Sequence, residues 1–215
     1  MSKLMDKATN ELLNLVGSSD PTPGGGSMSA LAGAVAAQLG QMVFRLTEGK
    51  KSWAELDIRQ QKLLSLDFAS LSTLAFELTQ LVDEDAAAYN TFMSALRLPK
   101  DTEAEKAARS KAMNEASLLA METPMQIALK GLAVLRHLGA LGRYGNKNCL
   151  SDVGVAAYLA QACVEGALLN VRINLPGIGD EELCARTKKS IAGIIKDKEE
   201  LVTEVTKVVN ERMDC

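Results

Sequence analysis

From about Asp57 to Leu98 apolar side chains recur at helical spacing, and no other stretch limits the possible folds so strongly. At about 100° per residue, Leu71, Leu74, Leu78, Val82, Tyr89, Met93 and Leu96 fall on one stripe. A rod of that length predicts an all-α fold, a bundle of long antiparallel helices forming one domain over residues 1–215. Composition agrees. Aromatic residues are only 4%, while Ala and Leu are abundant, which suits close helix packing better than strands.

One carboxylate interrupts the oily stripe. Asp85 lies between Val82 and Tyr89 on it, whereas Asp83 and Glu84 point well away. An acid on an apolar face is costly unless it is paired, hydrogen-bonded or neutral, and a raised pKa is expected there. Asp67 lands on the same stripe, so register alone does not separate the two.

Asp20-Pro-Thr-Pro-Gly-Gly-Gly-Ser-Met-Ser29 is the sharpest break in the chain. Pro21 and Pro23 forbid a helix through them, and Gly24, Gly25 and Gly26 let backbone approach another group closely. Ser27 can cap the next helix. Two readings fit: an ordinary capped loop, or a binding loop whose amides face an anion at a helix start. Residues 27 to about 48 then read as a helix of small residues, suited to a buried central position or to self-association.

The remaining pattern is helical throughout. Residues 3–16 form a short amphipathic helix closed by Gly17 and Ser18. Gly49-Lys50-Lys51 sets two cations behind a helix end, to complement its dipole or to hold a carboxylate or phosphate. Pro99 ends the long rod, Thr102 and Glu105 make a capping box, and a helix to about Leu141 is interrupted or kinked at Thr123-Pro124. A polar loop, Tyr144–Asn148, precedes a helix over 151–174 capped by Asn148 or Ser151. On it Asp152, Val155, Gly166, Asn170 and Ile173 share a face, and Asn174 lies one turn beyond Asn170. Asp180 opens a last amphipathic helix.

A net charge of −3 implies no general nucleic-acid surface. No uninterrupted apolar run reaches membrane length and no signal sequence is visible, so a cytoplasmic protein without membrane contact is expected. Cys149, Cys163, Cys184 and Cys215 lack zinc or disulfide spacing, so reduced thiols are expected. The lone His137 reads as a packed or surface helix residue, and acid–base chemistry must come mainly from Asp, Glu, Lys, Tyr or Cys.

Pro21-Thr-Pro-Gly-Gly-Gly-Ser27, Thr47-x-Gly-Lys-Lys51, Leu81-Val-Asp-Glu-Asp-Ala86, Gly145-Asn-x-Asn148 with Ser151-Asp152, and Asn170-Val-Arg-Ile-Asn-Leu175 stand in this order. As a set they closely resemble the cyclodeaminase/cyclohydrolase family, which includes the cyclodeaminase half of formiminotransferase-cyclodeaminase and stand-alone methenyltetrahydrofolate cyclohydrolases. The resemblance implies a homodimer or larger homo-oligomer acting on a tetrahydrofolate-type molecule, with no metal or other cofactor. No formiminotransferase segment precedes the match, so a single activity is expected. That activity is ring closure of 5-formiminotetrahydrofolate with loss of ammonia; hydrolysis of methenyltetrahydrofolate and a non-catalytic folate-binding scaffold are the alternatives. The family's catalytic carboxylate falls on Asp85. Gly24, Gly25, Gly26 and Ser27 are expected to line the pterin or one-carbon site. Lys50 and Lys51 are expected on the glutamate tail, and Asn146, Asn148 and Asp152 on the pterin. Tyr89 stands where a vertebrate-type domain has Phe, one turn from the acid.

Overall fold

A computed structural model describes residues 3–214; Met1, Ser2 and Cys215, the last of the four expected thiols, lie outside the described residues. It is all-helical, with no strand among the described residues. The helices are α1 (Thr9–Val16), α2 (Gly25–Arg45), α3 (Lys51–Ala54), α4 (Ile58–Leu96), α5 (Glu103–Tyr144), α6 (Leu150–Asn174) and α7 (Glu181–Met213). Short 3-10 turns at Leu4–Asp6, Lys147–Cys149 and Leu175–Gly177 join them.

Cross-helix pairs give the directions. Ser27 meets Asp85, Gly33 meets Leu78 and Gly40 meets Leu71, so α2 and α4 are antiparallel. Glu77–Lys130 and Asp67–His137 set α4 against α5 the same way. Asn174–Ala120 and Gly142–Val153 do so for α5 and α6. α2 and α6 close the ring of four, and α7 lies over α5 and α6, parallel to α5 through Arg136–Asp197 and Arg143–Glu204.

Close approach explains the small residues of α2. A Cβ on Gly33 would sit 2.6 Å from the Cys163 sulfur, and one on Gly40 2.8 Å from a Leu71 methyl. Most of α2 is thus buried against α4 and α6, while Val35 and Leu46 stay exposed on its outer side. One core of Leu, Val, Ile and Ala runs through all five long helices.

Several local expectations change. Helix α2 begins at Gly25 with Gly24 as N-cap, so Ser27 lies inside the first turn and is not the cap. Helix α5 runs unbroken through Pro124. Neither Asn148 nor Ser151 caps α6; its N-cap is Cys149, with no side-chain bond. By length and composition Gly25–Arg45, Glu103–Tyr144 and Lys147–Gly177 could cross a bilayer, contrary to the expectation from uninterrupted runs. Half or more of each such window is buried inside the protein, and a helix enclosed by others is apolar on most sides.

Candidate active site

The start of α2, the C-terminal third of α4 and the end of α6 meet at one end of the bundle, because each antiparallel neighbour reverses direction. There they enclose a cavity of about 320 Å3 lined by Gly24, Gly25, Gly26, Asp85, Tyr89 and the pair Asn170 and Asn174, with Pro21, Thr22, Phe92 and Ile173 at its edges. The Thr22-Pro23 peptide is cis.

Asp85 reaches across from α4 to the first turn of α2. Ser27 Oγ donates to its Oδ2 at 2.9 Å, and the Ser27 backbone N–H donates to it as well. Gly24 offers no side chain to cap α2, so a carboxylate from another helix satisfies donors that the helix start leaves free. The anion awaited by the triple-glycine turn is therefore the protein's own acid. Gly26 makes room for it: a Cβ there would lie 2.6 Å from Asp85 Cγ and nearer still to Oδ1. Burial is the strongest influence on this carboxyl and raises its pKa, opposed by the hydrogen bonds from Ser27.

Asp67, the other acid on the stripe, has a different fate. It is buried and bonded to His137 Nδ1 at 2.8 Å, far from the cavity end. His137 thus pairs with a carboxylate inside the bundle. Of the two, Asp85 is the one that lines this cavity, and this separates the acids that helical register could not.

Lys50, Lys51, Asn146, Asn148 and Asp152 are not brought to Asp85 within the chain. They gather at the opposite end of α2, about 30 Å away along its twenty-one residues. Asn146 ties the α5–α6 connection to α2: its backbone N–H donates to Thr47 Oγ1, its Nδ2 donates to Leu46 O, and its Oδ1 accepts from the Asn148 N–H. Lys50 and Lys51 are exposed, and Lys51 lies 3.9 Å from Glu55. Asp152 sits in the first turn of α6 and, after burial, helps push the Cys149 thiol up.

Sequence reasoning placed no role on Asn170 and Asn174, although their spacing on one helix face was the available signal. Phe92 and Ile173 had no comparable signal. A larger groove of about 950 Å3 lies between α4, α5 and α7, with Leu81, Leu119, Leu129 and Ile194 in its wall. Its Arg136 and Asp197 already pair with each other at 2.9 Å. The smaller cavity is the one with convergent polar groups.

Residues 8–193 match the family model described as formiminotransferase-cyclodeaminase. The formimidoyltransferase-cyclodeaminase of Gallus gallus is 33% identical over 90% of this chain, which spans only 35% of that protein. The methenyltetrahydrofolate cyclohydrolase of Methylorubrum extorquens is 32% identical over 94% of this chain and 95% of its own length. A crystal structure of formiminotetrahydrofolate cyclodeaminase from Thermotoga maritima superposes with a TM-score of 0.84 at 25% identity, covering 97% of this chain and 98% of that one.

Proposed function

The chain belongs to the formiminotransferase-cyclodeaminase family, and on that premise we propose that it closes 5-formiminotetrahydrofolate to 5,10-methenyltetrahydrofolate and ammonia. The supporting observation is one half-buried carboxyl of raised pKa, held by Ser27 at a cavity. N10 of the folate attacks the amidine carbon already carried on N5, and a C–N10 bond forms. The proton on N10 passes to the Asp85 carboxylate, which returns it to the former imino nitrogen. That C–N bond then breaks and ammonia departs, the charge of the amidinium passing to the methenyl product. Ring closure within one molecule needs positioning more than equipment. A carboxyl whose pKa is raised by burial is better placed both to take and to give the proton. No metal or other cofactor enters this scheme, and the cytoplasm is the compartment proposed for it.

Hydrolysis of methenyltetrahydrofolate is the second reading, favoured by the match along almost the whole length of the Methylorubrum cyclohydrolase. There water attacks the same carbon, and Asp85 serves as base. Ammonia release from 5-formiminotetrahydrofolate, measured beside loss of methenyl absorbance, separates the two. Asp85→Asn should lower either turnover about 10²–10⁴-fold while folate binding persists. Near-normal turnover in that variant removes Asp85 from the scheme, and folate binding by the parent without any turnover supports the scaffold reading instead.

A homodimer is part of the proposal. The outer faces of α2 and α6 carry Val35, Leu46, Val155, Tyr158, Leu169 and Ile173, each more than a third exposed, in one apolar band. Asp85 and the asparagine pair lie near one end of the band, and Lys50, Lys51, Asn146, Asn148 and Asp152 near the other. A second copy packed antiparallel about a two-fold axis at mid-band would bring the cationic end of each chain to the acidic cavity of its partner. The folate's glutamate tail would then meet the partner's lysines.

A further inference from the structure

The two asparagines of the cavity are held so that only one face of each amide is open. Asn174 Nδ2 donates to Ala120 O at 2.7 Å. That carbonyl needs a partner because residue 124, which would supply the helical N–H four positions on, is proline. Asn170 Nδ2 donates to Gly166 O at 2.9 Å. A carbonyl only accepts, so each NH2 group must face its carbonyl and each Oδ1 must face away. Neither Oδ1 has a protein partner among the described residues, and no buried side-chain oxygen is left unpartnered there. Both oxygens therefore remain accessible on residues that line the Asp85 cavity. Asn170 and Asn174 stand one turn apart on α6, so their side chains are neighbours.

Asp85 completes the inventory. Its Oδ2 already accepts from Ser27, and the other side-chain lining is Tyr89, Thr22 and apolar groups. The cavity wall beside the acid thus offers three acceptor groups, the Asp85 carboxylate and the two amide oxygens, beside the Thr22 and Tyr89 hydroxyls, which can donate or accept. Such a wall fits a group that presents N–H hydrogens and leaves the acceptors unpaired against a group that presents only a carbonyl oxygen.

We propose that the amide oxygens of Asn170 and Asn174 are an acceptor pair that binds the N–H hydrogens of the formimino nitrogen and selects that group over its formyl counterpart. The proposal rests on the folate reading above and names which one-carbon group the site prefers. Asn170 and Asn174 are positioning residues: they orient the nitrogen that receives a proton from Asp85 and leaves as ammonia.

The experiment compares 5-formiminotetrahydrofolate, whose amidinium presents charged N–H groups, with neutral 5-formyltetrahydrofolate, which presents a carbonyl oxygen there. Calorimetric binding is measured on the full chain in the Asp85→Asn background, where turnover is slowed about 10²–10⁴-fold. The formimino compound should bind about tenfold tighter, and Asn170→Leu, of the same shape, should bring the two within about threefold of each other. In the otherwise unaltered enzyme, Asn170→Leu should lower kcat/KM for ammonia release about thirtyfold. The Gly166 carbonyl keeps its helical N–H in that variant, so folding is not at stake. Asn174→Leu orphans the Ala120 carbonyl, so it is made together with Pro124→Ala, which restores an N–H to it. Equal affinity for the two ligands in the parent, or an equal loss on both after Asn170→Leu, overturns the acceptor pair while leaving the folate reading intact. Failure to bind either ligand overturns both.

Discussion

Replacing Gly26 by Ala adds one methyl group and tests whether the seat of Asp85 is what makes this end of the bundle reactive. The new Cβ would lie 2.6 Å from Asp85 Cγ and 2.7 Å from Oδ2, with Oδ1 closer still. Ordinary contact begins at about 3.5 Å, so the carboxyl must withdraw by roughly 1 Å. That movement stretches or breaks the 2.9 Å hydrogen bond from Ser27. A misplacement of about 1 Å in a reacting group costs about 10²-fold in rate. The helix itself does not suffer, since Ala is favoured over Gly inside a helix by about 0.5–1 kcal/mol. Gly26→Ala should therefore lower kcat about a hundredfold with KM, far-UV circular dichroism and Tm little changed. Gly25→Ala is the contrast. Its Cβ would meet only Asn170 Nδ2, at an ordinary 3.5 Å, and the loss should be much smaller. Ammonia release by Gly26→Ala within about threefold of the parent would refute the argument that Asp85 acts from this seat.

Asp85→Asn should also change stability with a definite sign. Burial raises the Asp85 pKa in the folded state, so the native chain holds this proton more tightly than the unfolded chain does. Stability then falls as pH rises from the usual carboxylate range through the raised value, and the full deficit is present above it. The Tm gain from Asp85→Asn should thus be larger at about pH 8 than at about pH 4, and an equal gain at both would contradict the burial argument. Asn174→Leu should cost about 1–3 kcal/mol by denaturant titration because the Ala120 carbonyl loses its partner, and Pro124→Ala should recover most of it. Additive effects in that double-mutant cycle would disprove the link. For the dimer, Asp85→Asn subunits dissociated and reassociated with Lys50→Glu/Lys51→Glu subunits should recover about a quarter of parent activity, since about half the dimers are mixed and each holds one intact site. No recovery would mean that each chain builds its site alone.

How much could be read beforehand differs by residue. The rod from Asp57 to Leu98 was legible because about forty residues of one period leave little room for another structure, and α4 spans Ile58–Leu96. The Thr102–Glu105 capping box and the break at Pro99 were equally plain, since their chemistry is local. Ser27 was expected to cap α2, but its hydroxyl bonds Asp85, fifty-eight positions away, a partner that local sequence cannot reveal. Pro124 does not interrupt its helix, and Asn174 supplies the missing bond from a different helix. Lys50, Lys51, Asn146, Asn148 and Asp152 come after the glycine turn in a shared sequence pattern, yet order along the chain says nothing of which bundle end a residue occupies.

The amino-acid sequence by itself determined that the chain is helical, where its long helices run, and that an acid would lie on an oily face. Those are properties of periodicity, which a short run of consecutive residues can express. Only the tertiary structure decided which acid opens onto a cavity and which is spent on His137, because reversal of direction at each connection brings Gly26, Asp85 and Asn170 together and carries Asp67 inward. Side chains distant in sequence compete for the same buried space, and that competition has no local signature.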